Sequence, residues 1–209
     1  MSAFVPEVTP LLRLETPDLP GADLKLWRGL WPPADCIRIA AELRQSLAWQ
    51  QKPIVIFGRE VLQPRLTAWY GDADCAYVYS GKRNEPLPWT PALAELRIAV
   101  EQVTATRFNS VLANCYRHGQ DSMGWHSDDE RELGPFPAIA SLSFGATRRF
   151  CLRHRKRKTE RMDLMLQAGD LLLMAGATQA NYRHALPKTA TSQGERLNFT
   201  FRWIHPANS

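Results

Sequence analysis

The segment that most constrains this chain runs from Glu195 to Ile204, where residues alternate strictly in character. Leu197, Phe199, Phe201 and Trp203 fall on one side, and Arg196, Asn198, Thr200 and Arg202 on the other. Successive side chains of a strand point to opposite faces, so this pattern predicts a β-strand between two different environments. The apolar face belongs against a core. The other carries two guanidiniums around an amide, and the planar guanidinium fork pairs with carboxylates and phosphates. Such a face either lines a pocket for a small carboxylate or is the solvated side of an edge strand.

A second pattern favours the pocket. His126-Ser-Asp128 supplies an imidazole and a carboxylate two residues apart, and His184 follows 58 positions later. Two histidines and one carboxylate with open positions form the facial triad of non-haem Fe(II) oxygenases. Of the five histidines, His126 alone has an acid two places on. A lone His-x-Asp is weak evidence. The order His-x-Asp, a run of strands, His, then a two-arginine strand carries the weight.

At 209 residues and 44% apolar, the chain can bury one full core, which predicts a single domain over 21–209. Pro6, Pro10, Pro17 and Pro20 mark residues 1–20 as an extended arm. No apolar run approaches the ~18 residues of a membrane span, and the first residues lack a signal pattern. Cys36, Cys75, Cys115 and Cys151 are too scattered for a disulfide framework or a cysteine-held zinc. The expectation is a monomer that is not secreted, cytoplasmic in a bacterium and nuclear or cytoplasmic in a eukaryote.

Helical spacing predicts one helix over Pro33–Leu47, with Cys36, Ala40, Leu43 and Leu47 inward. A second should be capped by Thr90, with Pro91 in its first turn and Leu93, Leu96, Val100 and Val103 as its buried stripe. From Ser110 onward short runs predict strands at Val111–Tyr116, Ala138–Gly145, Arg149–Arg153, Asp163–Leu166, Leu171–Met174, Asn181–Leu186 and Glu195–Ile204. Early helices and then many strands predict an α+β, mainly β fold: a jelly-roll core with N-terminal helices packed on one face. Arg148 to Arg161 holds eight Lys or Arg residues and one acid, against a net charge of +5 for the whole chain. Charge so concentrated between two strands is either a phosphate-binding loop, with Arg155, Lys156, Arg157 and Lys158 at its tip, or a solvated hairpin.

The chain also carries Pro64-Arg65 with Tyr70-Gly-Asp72, Tyr77-Val-Tyr-Ser-Gly81, Phe108-Asn109, Asn114-Cys-Tyr116, Met123-Gly-Trp-His-Ser-Asp-Asp-Glu130, Ser141-Leu-Ser-Phe-Gly145, Gly169-Asp170 and His184-Ala-Leu-Pro187. With the Arg-x-Asn-x-Thr-Phe-Arg strand, these resemble the AlkB-type Fe(II)- and 2-oxoglutarate-dependent dioxygenases over about Ile54–Ile204, most closely the branch of the second and third AlkB homologues. The resemblance implies a double-stranded β-helix core over 110–204, with helices and a nucleotide-recognition lid over 21–109. It implies Fe(II) on His126, Asp128 and His184, with 2-oxoglutarate and O₂ as co-substrates. Arg196, helped by Tyr116 and Asn198, would hold the distal carboxylate of 2-oxoglutarate, with Arg202 and Asn114 nearer the metal.

The implied activity is oxidative demethylation of alkylated bases of the 1-methyladenine and 3-methylcytosine type in DNA, releasing formaldehyde, succinate and CO₂. A base must leave its stack to be reached. Tyr77, Tyr79 and Ser80 would receive it beside His126, and Glu130 would favour a cationic base. Tyr77 and Tyr79 also fit an ordinary packed strand. Phe57, beside the Gly58-Arg59-Glu60 turn, matches the family's duplex-opening wedge, or else folds back on its own domain. Two other readings stay open: the same chemistry on methylated RNA, and a nucleic-acid-binding module without turnover.

Overall fold

The computed structural model describes residues 12–56, 58–75, 77–79, 82–191 and 194–205. In chain order it forms β1 (Arg13–Glu15), β2 (Asp23–Arg28), α1 (Pro33–Ser46), β3 (Pro53–Ile56), β4 (Arg59–Leu62) and β5 (Leu66–Gly71). There follow β6 (Tyr77–Tyr79), β7 (Lys82–Asn84), α2 (Pro91–Thr104), β8 (Ser110–Tyr116), β9 (Met123–His126) and β10 (Ile139–Gly145). The chain continues with β11 (Arg148–His154), β12 (Arg161–Leu166), β13 (Leu171–Ala175), the short α3 (Thr178–Asn181), β14 (Tyr182–Leu186) and β15 (Arg196–Arg202).

Two antiparallel sheets hold the site. The larger runs β1-β2-β13-β10-β15-β8-β5, the smaller β12-β11-β14-β9, and β3-β4 and β6-β7 are separate hairpins. The architecture is mainly β with few helices, as a jelly roll requires. Among the described residues no helix is long and apolar enough to cross a membrane.

Both helices start as their sequences direct. Thr90 accepts a hydrogen bond from the Leu93 amide at 3.2 Å, supplying one of the partners the first turn lacks, and Pro91 follows it. Leu93, Leu96 and Val100 are buried, while Val103 is half-buried at the edge of the same core. In α1 the buried residues are Cys36, Ile39 and Leu43, so Ile39 joins the inward stripe, and Ala40 packs half-buried against the same core.

Alternation along the large sheet divides its side chains between two cores. Trp27, Leu171, Leu173, Leu142, Phe144, Leu197, Phe199, Phe201, Val111 and Ala113 join the buried residues of α1 and α2 in one cluster. Leu24, Leu26, Leu172, Met174 and Ile139 point the other way and pack with Phe150, Leu152, Leu164, Leu166 and Tyr182 of the small sheet. Phe199 and Phe201 are fully buried, each contributing about 2–3 kcal/mol.

Between the sheets the inner face changes character. On β2 and β13 it is apolar, whereas on β10, β15 and β8 it carries Ser141, Ser143, Arg196, Asn198, Thr200 and Asn114, all buried. Register aligns them: Arg196 faces Tyr116, and Asn198 faces Asn114 on one side and Ser143 on the other. A buried polar stripe inside an apolar sandwich marks the site.

Three sequence expectations need correction. The sheet does not begin at residue 110, because β2 pairs with β13 and β5 with β8. The arm assigned to 1–20 is in part a strand of the large sheet, since Arg13–Glu15 pair with Leu26–Arg28. Trp203 lies beyond the end of β15 and is 45% exposed, so it does not join the core with Phe199 and Phe201.

Candidate active site

His126 closes β9 and His184 lies in β14, and register sets them directly opposite across the two strands. Their rings meet edge to face, with centroids 4.2 Å apart. Asp128 follows β9 by two residues, its carboxylate buried. One ligand atom from each of the three residues lies within 4.8 Å of the other two. The sequence pattern named these three, and strand pairing brings them together.

Each ligand is oriented by a neighbour. The Nδ1 atom of His126 is 2.8 Å from the carbonyl of Gly124, which leaves Nε2 to face the site. Phe150 stacks on His184 with centroids 5.3 Å apart. The amide of Asp128 donates to Gln179 Oε1 at 2.9 Å, and Ser127 Oγ donates to the carbonyl of Tyr182 at 2.7 Å. Arg202 Nη2 donates to Asp128 Oδ1 at 2.8 Å, while Oδ2 is buried with no hydrogen-bond partner.

Those contacts set protonation. Burial pushes the His184 imidazole down to about 4, so at physiological pH it is neutral and keeps a ring-nitrogen lone pair for a metal. Burial alone would raise the Asp128 carboxyl, but Arg202, His184 and His126 together hold it below the usual carboxylate range. A neutral His184, the imidazole of His126 opposite it and an ionised carboxylate with a free oxygen suit a divalent cation. An orphaned buried carboxylate oxygen is costly, and a bound metal ion removes that cost. The residues present therefore fit iron.

A cavity of about 430 Å³ opens from the three ligands. Its polar wall is the buried stripe of β15 and β8, with Arg196, Asn198, Asn114 and Tyr116. Arg196 is 2% exposed, and its Nη2 donates to Ser143 Oγ at 2.9 Å. Among the described residues it forms no ion pair, and its Nε has no hydrogen-bond partner. Burial lowers its guanidinium to about 10, and the charge of Arg148 adds to the effect. A buried cation without an anion is strongly unfavourable, so the pocket is built for an anionic ligand.

Asn114 and Asn198 brace the wall. Asn198 donates to Ser141 Oγ at 2.8 Å and to the carbonyl of Leu142 at 3.1 Å, and Asn114 Oδ1 accepts from Arg65 Nε at 2.8 Å. Glu130 is at the exposed rim of the cavity, yet protein around it raises its carboxyl, with repulsion from Asp128 and Asp129 adding to the effect. Tyr77 and Tyr79 lie on the β6–β7 hairpin. Phe57 and Ser80 lie outside the described residues.

The basic segment differs from a row of free cations. Arg155 pairs with Asp129 beside the metal loop and donates to the carbonyl of Gln179, while Arg157 pairs with Glu160. Lys156 and Lys158 are exposed.

Several residues at the site were not singled out as such in the sequence. Arg65 stood inside a quoted motif without a role. Ser143 likewise stood inside the quoted Ser141–Gly145 motif without a role, and Gln179 carried no signal, since an amide gains importance only from what strand pairing sets beside it. Arg148, 2% exposed, donates to the carbonyls of His118, Asp121 and Pro187 at 3.3, 2.9 and 2.8 Å.

The chain matches the model of the family described as the 2OG-Fe(II) oxygenase superfamily over residues 23–202. It is 44% identical over 177 residues to the human alpha-ketoglutarate-dependent dioxygenase alkB homolog 3, covering 80% of this chain and 61% of that protein. To the mouse DNA oxidative demethylase ALKBH2 it is 40% identical over 187 residues, covering 85% of this chain and 78% of that one. The chain thus spans less than two thirds of human alkB homolog 3, and 78% of mouse ALKBH2 but 60% of human ALKBH2. The solved structure of OsALKBH1 superposes with a TM-score of 0.65 at 15% identity, over 91% of this chain and 100% of that one, which shows a common fold. Matched over nearly its whole length by the family model, and to most of a relative at 40% identity, this chain belongs to the AlkB homologues of the 2OG-Fe(II) oxygenase superfamily.

Proposed function

We propose that this chain is a DNA oxidative demethylase that removes alkyl groups of the 1-methyladenine and 3-methylcytosine type, acting as a monomer inside the cell. Four buried, unpaired cysteines fit a reducing compartment. Residues 21–209 act as one dioxygenase domain. Helices α1 and α2 buttress the outer face of the large sheet, and the β3–β4 and β6–β7 hairpins serve as the nucleotide-recognition lid. One observation carries the reading: three residues that can hold a metal ion and a buried arginine with no acid among the described residues line the same cavity.

Within that cavity His126, Asp128 and His184 hold Fe(II). Arg196 pairs with the far carboxylate of 2-oxoglutarate, with Tyr116 beside it and Asn114 and Asn198 fixing the wall. Arg202 holds Asp128 by one oxygen and so aims the other at the metal. When bound, iron, 2-oxoglutarate and O₂ supply the oxidation that turns an N-methyl group into formaldehyde, with succinate and CO₂ as co-products. The chain's own part is position and charge. Tyr77, Tyr79 and Ser80 receive the flipped base, and Glu130 at the rim favours a cationic one. Phe57 fills the gap the base leaves, and Lys156 and Lys158 meet the phosphate backbone.

The test is release of formaldehyde and succinate, with Fe(II) and 2-oxoglutarate, from matched methylated oligonucleotides: single- and double-stranded DNA, and RNA. Release from DNA at least as fast as from RNA is expected. Release from RNA alone would move the substrate, and no release from any would remove the enzyme reading.

A further inference from the structure

The outer face of the four-stranded sheet, turned away from the cavity, carries a row of arginines with no part in the site. Register sets Arg161 of β12, Arg153 of β11 and Arg183 of β14 directly opposite one another across three adjacent strands. All three are exposed, whereas their neighbours Leu152 and His184 point inward. Like charges facing each other across strands destabilise a sheet. Nearby acids give no relief. Asp163 pairs with Arg149, Glu160 with Arg157 and Asp129 with Arg155, and among the described residues the three arginines form no ion pair.

The fourth strand, β9, adds an aromatic. The Arg153 guanidinium sits over the Trp125 ring, 4.0 Å from its centroid, and Trp125 is 41% exposed. Such stacking leaves the donors at the edge of the guanidinium free.

We propose that this face is a second nucleic-acid contact, binding the phosphate backbone of one DNA strand outside the cavity. The proposal rests on the nucleic-acid reading above and adds a place to it. Charge and spacing argue for the occupant. Adjacent strands lie about 4.8 Å apart, so the row spans roughly 10 Å. Phosphates of one B-form strand rise ~3.4 Å each along the helix axis and wind around it, so a strand laid across the row brings more than one phosphate among the three guanidiniums. A lone small acid would satisfy one arginine and leave the repulsion between the others. Arg183 precedes His184, and Trp125 precedes His126, so a strand held here lies one sheet's thickness from the metal ligands.

The experiment is fluorescence anisotropy with labelled, unmethylated single- and double-stranded DNA over a series of salt concentrations, without iron or 2-oxoglutarate. The triple variant R153Q/R161Q/R183Q should bind more weakly. Its logarithmic salt slope should be shallower by about 0.9 per lost contact on duplex and about 0.7 on single strands. The variant R153K/R161K/R183K, which keeps the charges, should retain the wild-type slope. A glutamine variant with the wild-type slope would overturn this face and leave the nucleic-acid reading standing. A lysine variant as weak as the glutamine one would also overturn it, because the loss would then come from the fold and not from charge. Wild-type protein with no salt-dependent binding to either DNA would remove both readings together.

Discussion

Asp128 shows how much one side chain carries here. One carboxylate oxygen accepts from Arg202 and the other has no hydrogen-bond partner among the described residues, so the residue is held and left open at once. Replacing His126, Asp128 or His184 with alanine is expected to abolish demethylation and tight metal binding while the protein stays folded. A three-ligand site does not survive as a two-ligand one. Metal titration with a circular-dichroism melt checks this, and full turnover in any variant at limiting iron would remove that residue from the set. Arg196→Ala removes the buried cation at the far end of the cavity. A loss of about 3 kcal/mol is typical when one partner of such a pair goes, and it corresponds to roughly a hundredfold higher requirement for 2-oxoglutarate. Steady-state kinetics with 2-oxoglutarate varied should show it, and an unchanged requirement would contradict the carboxylate pocket.

Strand β15 and the β11–β12 hairpin show the same rule with different outcomes. In β15 the alternating polar face turned out to be buried, because the small sheet covers it and leaves a cavity between. In the hairpin, concentrated charge is partly neutralised within the fold. Arg155 and Arg157 already have acids, so Lys156 and Lys158 are its freer cations. Replacing both lysines with glutamine is expected to flatten the salt dependence of DNA binding by about 0.7–0.9 per lost contact. Replacing Arg155 should instead disturb the loop through Asp129 and the carbonyl of Gln179. Binding measured from low to high salt separates the two, and an unchanged slope in the lysine variant would make the tip a solvated hairpin.

At the scale of the whole molecule, the buried site makes stability depend on pH. His184 titrates near 4 when folded and near ~6.5 when unfolded, so between these values the unfolded chain holds the extra proton. The stability is fully present above about pH 6.5 and falls as pH drops toward 4, by about 3 kcal/mol for such a shift. Asp128 acts in a separate, more acidic window, its contribution being lost as pH falls through its depressed value. Urea unfolding of the metal-free protein from pH 7 to 4 should follow this course, and His184→Leu should flatten it. A flat wild-type profile would contradict a buried neutral histidine. The two long helices, the Thr90 cap of the second, most strands after Ser110 and the three metal-ligand candidates were legible in the residues, because periodicity, capping and ligand chemistry are local. Alternation showed that β15 has two faces but could not show that both are buried, since that depends on a sheet built from distant strands. Tertiary structure alone brought β2 and β5 into the large sheet, left Arg196 without an acid among the described residues, gave acids to Arg155 and Arg157, and aligned Arg161, Arg153 and Arg183. Each of these is a matter of register between strands far apart in sequence, and register is settled only when their buried faces meet.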